Sequence, residues 1–203
     1  MAYPQPYLSL LDEVGALLTS EPRREGAETA RALLATPQPT QVKPEPPCLF
    51  DAAIQSCLDG SDDPLARALL AAQDLLPWGV NPVSDRMTPD AAAMIAVLTL
   101  MGPEGPVPSP FFRLGFVYMA PWSYYPLHNH DADETYVVLA GRALWTAGDD
   151  TRERGAGSMV HHPSLMAHAF RTYDEGFVAL WRWSGDINTE SYTFLPDPQI
   201  IVA

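Results

Sequence analysis

Apolar residues recur about every 3.6 positions in three stretches of the chain's first half. LSLLDEVGALL (8–18), AETARALLA (27–35) and DPLARALLAAQDLL (63–76) each predict an amphipathic helix. Asp62 or Asp63 is a candidate cap for the third. CLFDAAIQSCL (48–58) predicts a further short helix. Before it, TPQPTQVKPEPP (36–47) carries five prolines, which forbid helix and predict an extended connector. TPDAAAMIAVLTL (88–100) reads two ways. Thr88-Pro89 marks a helix start, while IAVLTL suits a first strand.

After Gly105 the pattern shortens to strand-like runs. FRLGFVYMA, ETYVVLAG, RALWTAG, SMVHH, HAFRTY and FVALWRW are rich in aromatic and β-branched residues and are separated by Gly, Pro or Asp. They predict an antiparallel sandwich or barrel, with Gly148-Asp149-Asp150 as a hairpin turn. The expected organisation is a helical segment with its connector over 1–104, packed on a β-barrel over 105–203.

Composition narrows the function classes. A formal net charge of -13 over 203 residues repels phosphate backbones and argues against nucleic-acid binding. The two cysteines, Cys48 and Cys57, make no disulfide framework and suit a reducing cytoplasm. The start lacks a basic, apolar signal sequence, and the most apolar run, 91–102, is too short to span a bilayer. A cytoplasmic protein with no membrane partner is the expectation.

All five histidines fall between His128 and His168. In HNHDADETY, side chains two apart on a strand share a face. His128 therefore points with His130, and Glu134 with Tyr136. A turn at Asp131-Ala132-Asp133 can fold the second pair over the first. Two imidazoles and a carboxylate then converge, a donor set for Zn²⁺, Fe²⁺ or Mn²⁺, with His168 available as a further ligand. His161 and His162 point to opposite faces, and one of them can line the barrel; ordinary polar or core roles are the preferred reading for both. Trp181 and Trp183 share a strand face. Trp122, Tyr124 and Tyr125 add aromatic surface near the cavity mouth. Strand tyrosines and tryptophans also serve as plain core or rim residues, so the residues alone leave both readings open.

His128-Asn-His130-Asp-Ala-Asp-Glu134, then six residues and Gly141, resembles the first cupin motif. Gly157 followed by Pro163-Ser-Leu165-Met-Ala-His168 resembles the second. Leu165 stands where the general pattern has glycine, and Thr172 where it has asparagine. The resemblance implies a mainly β fold, a small conical antiparallel barrel or jelly roll, with a metal inside. YYPLHNH and ETY together with the long helical segment resemble the cupin-type dimethylsulfoniopropionate lyases. That likeness implies one divalent transition metal held by His130, Glu134 and His168, with His128 a fourth ligand or a close neighbour. It implies Tyr136 as the base, Tyr125 as a second catalytic and substrate-holding residue, and Trp183 and Trp122 against the substrate. The substrate is a small zwitterion, and the helices are a candidate homodimer contact.

The chemistry is coherent. A cation beside a tyrosine favours its phenolate, which can take the proton α to a carboxylate. Aromatic faces attract a sulfonium by about 0.5–2 kcal/mol each. Two rival readings share the ligands: an Fe²⁺ dioxygenase of a small acid or thiol, and a non-catalytic cupin that binds a small ligand. The first needs O₂. The second, as a regulator, would carry basic DNA-binding helices, and here Arg23, Arg24, Arg31 and Arg67 lie scattered among acids.

Overall fold

A computed structural model describes residues 5–36 and 45–197. Most of the proline connector, including Lys43, lies outside the described residues. Four helices precede the sheet: α1 Gln5–Ser20, α2 Arg24–Ala35, α3 Asp51–Leu58 and α4 Pro64–Ala72. Asp63 caps α4 as expected, its carboxylate accepting from the Ala66 N–H at 2.9 Å. The ambiguous stretch holds both elements. Thr88 caps a single turn, α5 Pro89–Ala92, and the apolar run becomes strand β1 Ile95–Gly102.

The remaining strands are β2 Val107–Pro108, β3 Arg113–Met119, β4 Tyr124–Asn129, β5 Ala132–Ala147, β6 Asp150–Gly155, β7 Met159–His162, β8 His168–Gly185 and β9 Thr193–Phe194. They form one mainly antiparallel sheet, with β1–β2 the parallel exception. Its hydrogen-bonded path runs β2-β1-β3-β8-β4-β9, with β5 joining β8 to β6 and β7. This is the expected cupin jelly roll, but the ladder does not close into a continuous barrel. Strand β1 belongs to this sheet although it precedes residue 105.

Two pairs of expected strands are fused. ETYVVLAG and RALWTAG form the single strand β5, and HAFRTY and FVALWRW form β8. The pair bends where register shifts flank Gly141, which takes φ +70°. A side chain on Gly141 would strike the backbone of Gly176, itself at φ +67°. Only glycine relieves both constraints, so the two long strands curve together and pass from one face of the fold to the other. The Gly148-Asp149 turn joins β5 to β6 as predicted.

The curved sheet has two apolar faces. Its outer face carries Leu98, Phe116, Val137, Leu139 and Leu180 against the helices, in one cluster with Leu10, Val14, Leu33 and Leu69. Its inner face holds Tyr125, Tyr136, Trp145, Phe170, Trp181 and Trp183. The alternation of β5 serves both, with Glu134 and Tyr136 inward and Asp133 and Thr135 outward.

A buried ion network clamps the helices to that outer face. Glu21, in the turn between α1 and α2, accepts from Arg182 through both carboxylate oxygens and from Thr135 Oγ1 at 2.8 Å. Arg23 grips both oxygens of Asp133 at 3.0–3.1 Å. Glu21 and Arg182 are buried, so each charge depends on the other. Glu21→Ala should strand the guanidinium of Arg182 and cost about 3 kcal/mol in urea denaturation. A loss below about 1 kcal/mol would mean that apolar contact alone docks the helices.

Candidate metal centre

Strand register assembles the site. His128 on β4 lies directly opposite His168 on β8. Glu134 on β5 lies between His162 on β7 and Trp183 on β8. His130 occupies the short connection from β4 to β5, where its carbonyl accepts from the Leu165 N–H at 2.9 Å. Leu165 takes φ +65°, the left-handed conformation that glycine supplies in the general motif. The turn is therefore kept without the glycine. Thr172 likewise fills a structural post, accepting from Ser123 N–H and donating to Ala120 O, both at 2.7 Å.

Backbone carbonyls set the tautomer of three imidazoles. Nδ1 of His128 lies 2.7 Å from Pro126 O, Nδ1 of His130 3.2 Å from Ala132 O, and Nδ1 of His168 2.8 Å from Met166 O. A carbonyl only accepts, so each Nδ1 carries the proton and each Nε2 presents a lone pair. Nε2 of His130 and of His168 are buried and without a hydrogen-bond partner. They stand 3.4 and 3.2 Å from Glu134 Oε2, lone pair against carboxylate. Such a set is repulsive unless a proton or a metal cation sits among the donors. The ligand atoms of His128, His130 and His168 lie within 4.8 Å of one another. The site fits a divalent metal held by these imidazoles and Glu134.

Two neighbours hold Glu134. Trp183 Nε1–H donates to Oε1 at 2.6 Å. His162 Nδ1–H donates to Oε2 at 3.0 Å, while its Nε2 accepts from Trp145 Nε1–H at 2.9 Å. His162 groups with Glu134 and His168 as an alternative donor set. With both nitrogens committed, it instead orients the carboxylate. The preferred sequence reading left His162 in an ordinary role; only pairing with Glu134 reveals this one. His161 does point outward, with Nε2 2.9 Å from Asp133 Oδ2.

Electrostatics follow from burial. Burial, then the neighbouring His168, pushes the His128 imidazole well below its ordinary value. The same causes bring His162 down to about 3. Burial opposes ionisation of Glu134, yet His130, His162 and His168 together outweigh it and hold the carboxyl well below the usual range. Tyr136 goes the other way. Burial first, then the Glu134 charge, raises its hydroxyl well above 10.0.

The cavity beside these groups is lined by Tyr125, Tyr136, Trp181, Trp183 and Tyr192, among others. The structure thus brings together Tyr125, Tyr136, Trp183, Glu134, His130 and His168, with His128 grouped with the two histidines. It does not bring Trp122. That residue sits in the β3–β4 turn at φ +56°, 72% exposed and outside the cavity. The left-handed backbone turns its ring to solvent, so the expected substrate contact is corrected. Tyr124 is also elsewhere, donating to Asp197 Oδ2 at 2.6 Å. Asn81 and Tyr192 were missed because neither lies in a recognisable motif.

Residues 24–179 match the dimethylsulfoniopropionate lyase family. The chain is 33% identical to dimethylsulfoniopropionate lyase DddQ of Ruegeria pomeroyi over 195 residues, 96% of each chain. The chain belongs to the dimethylsulfoniopropionate lyase family. It is 29% identical over 154 residues to the putative lyase DddL of Cereibacter sphaeroides, covering 73% of this chain and 62% of that one. The crystal structure of the Ruegeria pomeroyi DddQ superposes with a TM-score of 0.69 at 30% identity, covering 95% of this chain and 98% of that one. A further chain, from crystal structures of the lyases RdDddP and RnDddQII, shares the fold at TM-score 0.73, 21% identity, and 94% and 98% coverage. Among the described residues of this lyase-family chain, no helix is long and apolar enough to cross a membrane.

The depressed histidines make stability pH-dependent. An unfolded histidine titrates near 6.5, whereas folded His162 refuses the proton down to about 3. Its contribution is complete above 6.5 and is lost as pH falls through that window. The loss reaches about 1.4 kcal/mol per pH unit for each such ring. Urea denaturation of chelator-treated protein between pH 7 and 4 should show the decline. A flat profile would mean that the rings protonate within the fold.

Proposed function

We propose that the protein cleaves dimethylsulfoniopropionate to dimethyl sulfide and acrylate by metal-dependent β-elimination. The supporting observation is Tyr136, a buried tyrosine beside Glu134 in an aromatic cavity, next to buried imidazole nitrogens that face the Glu134 carboxylate. A divalent cation at His128, His130, Glu134 and His168 supplies positive charge that steadies the substrate carboxylate and favours the Tyr136 phenolate. Zn²⁺, Fe²⁺ and Mn²⁺ all suit these donors.

Tyr136 takes the proton from the carbon α to the carboxylate. The released electron pair forms the Cα–Cβ double bond, and the C–S bond breaks with its pair going to sulfur. Dimethyl sulfide and acrylate leave, and Tyr136 keeps the proton. The sulfonium is a fixed cation, and Trp181 and Trp183 offer faces to it. Their ring centroids lie 6.1 Å apart. Tyr125 also lines the cavity, its ring 4.6 Å from that of His128. We further propose that the protein works in the cytoplasm and that its helical segment carries a homodimer contact.

Headspace analysis tests the reaction directly. Metal-loaded protein should release dimethyl sulfide without oxygen and lose that activity with chelator. Persistent dependence on O₂ would favour a dioxygenase. Tyr136→Phe should lower turnover at least 100-fold with metal content intact, as expected for removal of a general base. His130→Ala should lose metal and turnover together. Near-full activity in Tyr136→Phe would exclude it as the base.

A further inference from the structure

Asn81, Tyr125 and Tyr192 form a buried hydrogen-bonded row along the cavity wall. Asn81 Nδ2 lies 2.7 Å from Tyr125 Oη, and Tyr125 Oη lies 2.6 Å from Tyr192 Oη. The direction of the row follows from counting protons. Asn81 Oδ1 accepts from the Val83 N–H at 3.1 Å, so the amide cannot be flipped and its NH₂ must face Tyr125. Tyr125 then accepts from Asn81 and must place its own proton elsewhere. The NH₂ has no lone pair to receive it, and Tyr192 Oη is the other partner. Either hydroxyl can donate in the Tyr125–Tyr192 pair; donation from Tyr125 lets each phenol oxygen accept once, and the row is taken in that direction. Among the described residues, the Tyr192 proton has no hydrogen-bond acceptor once Tyr125 is its donor.

Tyr192 lines the cavity beside the metal centre. Its ring stacks on His128 at 4.9 Å and 12°. The two segments carrying the row are tied together, since Arg86 Nη1 donates to Thr189 O at 2.7 Å and Tyr192 O at 3.1 Å. We infer that Asn81 is a positioning residue that fixes the direction of this row, so that Tyr192 presents its hydroxyl proton to the substrate carboxylate. The inference rests on the proposed substrate in requiring a carboxylate near the metal. That donor offsets the negative charge that grows on the carboxylate as the α-proton leaves. Tyr136 remains the base, and Asn81 acts through the Tyr125 hydroxyl.

The test separates direction from mere loss of contact. Asn81→Asp keeps the shape and the Val83 bond but offers Tyr125 an acceptor, which reverses the row and turns the Tyr192 proton away from the cavity. Asn81→Leu removes the donor without imposing a reversal. Calorimetric binding of acrylate to the metal-loaded protein is read beside KM for dimethylsulfoniopropionate. The aspartate variant should weaken acrylate binding and raise KM about tenfold, the leucine variant less, both with wild-type metal content. Tyr192→Phe should match the aspartate variant, and the double variant Asn81→Asp/Tyr192→Phe should be no worse than Tyr192→Phe alone. Equal losses in the two Asn81 variants, multiplicative losses in the double variant, or wild-type binding in Asn81→Asp would overturn the inference. Should the aspartate variant fail to fold, the coupling of Asn81→Leu with Tyr192→Phe carries the test. A wild-type protein that binds acrylate but releases no dimethyl sulfide would sink the proposed reaction and leave this row still testable.

Discussion

A buried carboxylate faced by imidazole lone pairs is the constraint on which the site depends. Glu134 is held from both sides, by Trp183 on β8 and by His162 on β7. His130 and His168 turn unprotonated nitrogens toward it because backbone carbonyls already take their Nδ1 protons. Among the described residues, nothing satisfies those buried nitrogens. Leaving polar atoms in that condition is costly, and a cation removes the cost. The same burial that demands a cation also keeps Tyr136 protonated without one. Metal occupancy and the readiness of the phenol are thus two consequences of one electrostatic arrangement.

The fold exists to hold that arrangement still. Both long strands curve at the Gly141–Gly176 contact, which lets β5 and β8 pair along most of their length. Their register decides that Trp183 stands opposite Glu134, Trp181 opposite Tyr136, and Arg182 opposite Thr135. Inward residues build the metal centre and its aromatic wall. Outward residues build the Glu21–Arg182–Thr135 network that anchors the helices. One strand pair therefore carries both the chemistry and the docking of the helical layer.

In the proposed reaction, the aromatic wall and the Asn81–Tyr125–Tyr192 row would divide the work of holding a zwitterion. Ring faces suit the sulfonium, while directed protons and the metal suit the carboxylate. Keeping these apart matters, because a hydroxyl donor gains nothing at a sulfonium.

Much of the site was legible because its signals are local. Period-2 alternation puts His128 with His130 and Glu134 with Tyr136, and the second motif supplies His168. The helices, the caps at Asp63 and Thr88, and the Gly148-Asp149 turn follow from equally local rules. What only the tertiary structure decided is non-local. No sequence rule places His162 opposite Glu134 or makes it the partner that orients the carboxylate. None returns Tyr192 to His128 after 64 residues, or sends Asn81 from a loop to the hydroxyl of Tyr125. Trp122 failed for the same reason: its aromatic neighbours suggested a cavity wall, but one left-handed turn residue faces wherever its backbone sends it. Local periodicity determines which residues share a face. Which faces meet depends on how far-apart strands curve and register, and that is settled only when the whole core packs.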